Sequence, residues 1–194
     1  IILGILGENI VASHAIAINV ASLFFMVPLA VGLAASTRVG NLIGEKNYRQ
    51  AKVASLSTIY LCILTALMNV ILILIFRELI VSIYTTDEII FSLAVYLLIF
   101  AAIFQLPDGI QMGALGSLRG FKDTFVPMIL LFISYWMFAM PIGYYLTMTG
   151  FNKPLGAAGM WYGMIIGLSI FAIMAVFRLR SIIRKSIQRV EAIC

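Results

Sequence analysis

Residues 91–118 read FSLAVYLLIFAAIFQLPDGIQMGALGSL, and Asp108 is the one charged residue among them. The neighbouring charges are Glu88 before the run and Arg119 after it. An apolar run needs roughly 20 residues to cross the hydrocarbon core of a bilayer as a helix. This stretch is long enough, so it reads as a membrane span with a carboxylate inside it.

The rest of the chain repeats the pattern. Of its 194 residues, 63% are hydrophobic and 11% charged, and the mean hydropathy is +1.10. Soluble domains carry about 25% charged residues. Asp, Glu, Lys and Arg are absent from residues 9–37, 53–76, 89–107, 109–118, 124–152 and 154–177. With 89–107 and 109–118 joined across Asp108, the chain is predicted to be an all-α polytopic membrane protein. Its helices are expected over about 9–37, 53–76, 89–118, 124–147 and 155–177. Residues 1–7, IILGILG, read as the end of a further helix, which predicts a larger parent protein. No basic segment precedes a short apolar core there, so no cleavable signal peptide is read.

Charge sets the expected orientation. Arg38, Lys46, Arg49, Lys52, Arg119, Lys122, Arg178, Arg180, Arg184, Lys185 and Arg189 fall on one side, which is 11 of the 13 basic residues. Arg77 and Lys153 fall on the other, with Glu8, Glu78, Asp87 and Glu88. The positive-inside rule makes the richer side, and with it the C-terminus, cytoplasmic. The net charge of +5 is then topology and calls for no nucleic acid.

Residues 178–194, RLRSIIRKSIQRVEAIC, form a basic amphipathic tail that either lies on the anionic leaflet or stays solvated. RVGNLIGEKNYRQAK, residues 38–52, reads as a cytoplasmic linker in which Gly40 and Gly44 allow a tight turn. Gly159, Gly163 and Gly167 recur every four residues, a stripe on which helix backbones approach closely, and Gly109 and Gly113 repeat it. Cys62 and Cys194 predict neither a disulfide nor a metal site. Asn19 and Asn69 read as ties between helices. Trp161, Tyr144 and Tyr145 suit an interfacial belt. His14 is either a neutral imidazole with one hydrogen bond or a proton relay.

Asp108 is the sharpest signal. Arg119 lies about 16 Å further along the helix, which puts Asp108 near mid-membrane. An Asp there costs about 2.5–3.5 kcal/mol on the mild insertion scale, unless a proton, a bound cation or a wet cavity offsets it. Pro107 removes a donor and frees the Ile103 carbonyl, which suggests a second cation ligand. The alternative is a cap on a helix restarted after the proline, a task that a neutral Asn performs without the charge. Phe104, Gln105 and Gln111 fall on roughly the same face and are candidate cavity-lining residues. No catalytic triad, metal cluster or nucleotide loop is found, so neither an enzyme nor a tightly bound cofactor is expected.

Four stretches together carry a family resemblance. FMVPLAVGLAASTRVGNLIGEKNYRQAK (25–52) resembles the eighth helix and following loop of multidrug and toxic compound extrusion (MATE) transporters. LLIFAAIFQLPDGIQMGALGSLRGFKDTFVPM (97–128) resembles the tenth, ISYWMFAMPIGYYL (133–146) the eleventh, and PLGAAGMWYGMIIGLS (154–169) the twelfth. The likeness is to the NorM-like bacterial branch and to the C-terminal six-helix lobe, which implies a bacterial inner membrane. It implies efflux of cationic or amphipathic drugs in exchange for Na⁺ or H⁺, with a missing N-terminal lobe as partner. It also implies that Asp108 holds the coupling cation. Phe104 stands where these transporters often carry a tyrosine, and the seventh-helix acid of that site would precede Ile1. A lipid-linked oligosaccharide flippase of the same superfamily is the alternative, but no Lys or Arg lies within a span to meet its pyrophosphate. A non-transporting structural membrane fragment is the other alternative.

Overall fold

The computed structural model describes residues 7–150 and 154–191, together with Gly4. Lys153, Cys194 and most of the IILGILG stretch lie outside the described residues. The fold is all-helical: α1 (Glu8–Gly44), α2 (Tyr48–Tyr84), α3 (Glu88–Gly120), α4 (Phe125–Ile133), a π-helical segment (Ser134–Ala139), α5 (Met140–Met148) and α6 (Ala157–Glu191). α4, the π segment and α5 run on as one span, so among the described residues five helices are long and apolar enough to cross a membrane.

The helices outrun the charge-free stretches. Backbone hydrogen bonds need no apolar side chain, so a helix continues past the hydrocarbon until a turn ends it. The expected linker over residues 38–52 is therefore corrected. α1 carries on through Gly40 to Gly44, and the turn is only Glu45 to Asn47, with Lys46 in the left-handed region at φ 59°. Asn47 then caps α2 by accepting from the Gln50 amide at 3.2 Å. Asp87 caps α3 more strongly, its Oδ1 accepting from the amides of Ile89 at 2.9 Å and Ile90 at 3.0 Å.

The tail is corrected in the same way. There is no break after residue 177, because α6 runs on to Glu191. Leu179 and Ile183 are buried in one core cluster with Ala114 and Leu118 of α3, so this part of the segment packs on the bundle rather than being wholly solvated. Arg178 Nε donates to Asp123 Oδ2 at 2.7 Å and ties α6 to the α3–α4 turn.

α3 is the central helix, packed by α1, α2 and α6. Small residues allow this. A Cβ at Gly109 would stand 2.8 Å from the Cys62 carbonyl oxygen of α2, and one at Gly32 would stand 2.9 Å from the Met112 carbonyl oxygen. The stripe on α6 meets the fourth span: a Cβ at Gly159 would lie 2.5 Å from the Thr147 nitrogen, and one at Gly163 would lie 2.6 Å from the Ala139 carbonyl oxygen. Each is too close for any side chain, so these glycines set the interhelical spacing.

Pro28 shows how a break is tolerated at membrane depth. It cannot donate to the Phe24 carbonyl four residues earlier. Asn69 of α2 supplies the missing donor, its Nδ2 reaching Phe24 O at 2.9 Å. Asn19 also links two helices, accepting from the Tyr84 hydroxyl at 2.8 Å.

Candidate functional site

Asp108 sits in the second half of α3, and the helix packing leaves space in front of it. A cavity of about 300 Å³ lies between α1, α3, the π segment and α6. Its walls include Ser22 and Phe25 of α1, Phe104 and Asp108 of α3, Tyr135 of the π segment, and Trp161 and Met164 of α6. Phe104 and Asp108 share the cavity because residues four apart fall on one helical face.

The carboxylate is only 5% exposed. Gln111 donates to it, Nε2 to Oδ1 at 2.6 Å, across one turn of α3. The single salt bridge among the described residues joins Arg178 and Asp123, so no cation side chain neutralises Asp108. A buried carboxylate with one amide donor and no counter-ion retains lone pairs for a proton or a monovalent cation. No cluster of three or more His, Cys, Asp or Glu occurs among the described residues.

The candidate residues of the sequence divide here. Phe104 lines the cavity, and Gln111 reaches it through Asp108. Gln105 does not line it. Its side chain is fully buried between α3 and α1, where Nε2 donates to the Ala21 carbonyl at 3.0 Å. The carbonyl freed by Pro107 also stays apart. Pro107 opens onto a different groove, with Leu106 and Ile110, and Ile103 is not among the residues lining the Asp108 cavity.

Two contributors were not legible beforehand. Trp161 is of a type that suits an interfacial belt, yet it is 1% exposed. Its ring meets His14 at 5.7 Å and Phe104 at 6.0 Å, both edge to face, and it forms a wall of the cavity. The glycine stripe around it was the available signal, since a large ring on a helix that packs this closely is more readily buried than splayed. Tyr135 enters the wall through the π segment, whose wider turn re-aims side chains relative to α4. His14 Nδ1 is buried without a partner.

Chemically the site combines one buried carboxylate, the hydroxyls of Ser22 and Tyr135, and the aromatic rings of Phe25, Phe104 and Trp161. Aromatic faces attract cations at about 0.5–2 kcal/mol each. The arrangement favours positive charge on either an inorganic ion or an organic one.

The MatE family profile matches residues 1–145. The multidrug resistance protein NorM of Photobacterium profundum is 46% identical over 176 residues, covering 90% of this chain and 39% of that protein. NorM of Vibrio vulnificus strain YJ016 is 43% identical over 182 residues, covering 93% of this chain and 40% of that protein. Among solved structures, an outward-facing multidrug resistance MATE family transporter of the MOP superfamily superposes with a TM-score of 0.85 at 22% identity. That superposition covers 94% of this chain and 40% of the transporter, and it establishes likeness of fold. The chain spans about two fifths of the length of the curated relatives it matches.

Proposed function

This chain belongs to the MatE family, and we propose that it forms the C-terminal lobe of a secondary exporter of cationic or amphipathic drugs. Asp108 is the residue at which Na⁺ or H⁺ couples to drug movement. The observation that carries this reading is the burial of Asp108 in a cavity with an amide donor but no counter-ion among the described residues. A carboxylate left so at mid-membrane costs about 2.5–3.5 kcal/mol, and binding a cation offsets that cost. The relatives named as multidrug resistance proteins support the drug substrate.

A second lobe facing this one would enclose the drug path, and rocking of the two would alternate access. Cation entry at Asp108 would favour the state that releases drug outward, because only an ion with different affinity for two states shifts their balance. For an uncharged drug exchanged one for one, a monovalent ion moving down 100 mV supplies about 2.3 kcal/mol, enough for roughly a fiftyfold gradient. A monovalent cationic drug exchanged one for one moves no net charge and is driven by the ion's concentration gradient alone. Gln111 holds Asp108 in place, and the rings of Phe104 and Trp161 provide the walls.

The test is ion-driven efflux in proteoliposomes containing the full-length protein, normalised to folded protein. Asp108→Asn keeps size and hydrogen-bonding capacity and removes the charge, so the protein inserts and coupled efflux falls to background. Asp108→Glu retains part of the activity with altered ion dependence. Full coupled efflux by the Asn variant returns Asp108 to a structural role.

A further inference from the structure

A second cavity lies across α3 from Asp108. It is a groove of about 410 Å³ between α3 and α6, walled by Leu106, Pro107, Ile110, Ala172, Ile173 and Phe177. Leu106 and Ile110 stand about 160° around α3 from Asp108, so the two cavities share no face. Ile173 and Phe177 are 56% and 64% exposed and form the outer rim, so the groove is open on that side of a membrane-spanning helix.

Its chemistry is one-ended. Ser169 at the upper end turns its hydroxyl back to the Ile165 carbonyl at 2.7 Å and presents little polarity. At the opposite end stands Arg180, exposed, with no carboxylate within ion-pair distance among the described residues. Arg178 beside it is already paired with Asp123, and Arg184 follows one turn on, also exposed. From Ser169 to Arg180 the helix rises about 16 Å. Half of a hydrocarbon core of about 30 Å is about 15 Å. The groove therefore spans the depth of one leaflet, apolar along its length and cationic at the membrane surface.

We propose that this groove is a binding site for an anionic phospholipid of the leaflet facing the basic loops. One acyl chain lies between α3 and α6, against the helix break at Pro107, and the phosphate meets the Arg180 guanidinium. A planar guanidinium presents paired donors to phosphate oxygens, and basic pockets at the ends of membrane helices recognise anionic headgroups. The site does not depend on the transport reading, because retention of lipid requires no drug movement.

Native mass spectrometry of the delipidated full-length protein, titrated with phosphatidylglycerol or phosphatidylcholine, tests it. The unaltered protein retains phosphatidylglycerol in preference. Arg180→Ala lowers that retention about fivefold, the change to which about 1 kcal/mol for one basic residue converts. Arg180→Lys recovers most of it. Ile173→Trp, which fills the apolar wall from the exposed rim, lowers it as well, and Arg77→Ala in the opposite leaflet leaves it unchanged. Equal retention of the two lipids, or unchanged phosphatidylglycerol binding in either Arg180→Ala or Ile173→Trp, overturns the proposal. So does absence of crosslinking in bilayers between the α3–α6 groove and a phosphatidylglycerol carrying a photoactivatable diazirine in its acyl chain, which would mean that protein rather than lipid covers the groove.

Discussion

Asn69 of α2 donates to the Phe24 carbonyl of α1 at 2.9 Å, the carbonyl that Pro28 leaves without its helical donor. A helix break and an intramembrane amide, 41 residues apart in sequence, are thus two halves of one interaction. Asn69 is 1% exposed, so no water replaces it.

That pairing yields a double-mutant prediction. Asn69→Leu leaves the Phe24 carbonyl unpaired and costs about 1–3 kcal/mol. In a Pro28→Ala background the helix supplies its own donor, and the cost of Asn69→Leu falls by about 1 kcal/mol. Unfolding in detergent measures both, and equal costs in the two backgrounds would uncouple the pair.

The glycine stripe makes a steric prediction. Gly163→Leu forces α6 from the fourth span, since even a Cβ would lie 2.6 Å from the Ala139 carbonyl oxygen. Folded yield drops several-fold, as expected for overpacking that costs about 1–3 kcal/mol or more. Gly44→Ala, with nothing within 4 Å of the added carbon, changes yield little. Size-exclusion profiles of the two variants side by side decide the matter.

The Arg178–Asp123 pair is half-exposed on the arginine side, 33% against 14% for the aspartate. Its stabilising effect is therefore small, about 0.2–1 kcal/mol, and screened by salt. Arg178→Ala and Asp123→Ala each lower the melting temperature slightly at low ionic strength, and the coupling between them fades at 1 M salt. A coupling that persists undiminished in high salt would argue for a buried pair instead.

Orientation is checked by labelling. With Cys194 replaced, a cysteine at Lys46 reacts with an impermeant reagent only from the cytoplasm, and one at Thr86 only from outside. Both positions are exposed in turns at opposite ends of α2. The reverse pattern would invert the assignment made from the basic residues.

The membrane spans were legible in the sequence because hydrocarbon tolerates few charges, and that restriction writes itself as charge-free runs. Asp108 stood out for the same reason, and Gly159, Gly163 and Gly167 stood out as a four-residue repeat of small residues, which the structure places against Thr147, Ala139 and Ser134. Helix ends were not legible, since α1 and α2 carry Arg38 and Arg77 beyond the apolar runs without losing a backbone hydrogen bond. Nor was the role of residues 178–191, because burial of Leu179 and Ile183 depends on where α3 ends.

Sequence alone determined that this chain crosses the bilayer repeatedly and carries one acid at mid-depth. The spans follow from the cost of placing charge in hydrocarbon, a property of each residue taken singly, and Asp108 is conspicuous as the exception to it. Only the tertiary structure decided what that acid faces. Gln105 and Gln111 lie three residues to either side of Asp108, yet one bonds to α1 and the other to the carboxylate. Trp161 and Tyr135 come to the cavity from other spans. The composition of a wall depends on which helices touch and at what rotation, and those are set by glycine contacts and a π turn that no single residue announces.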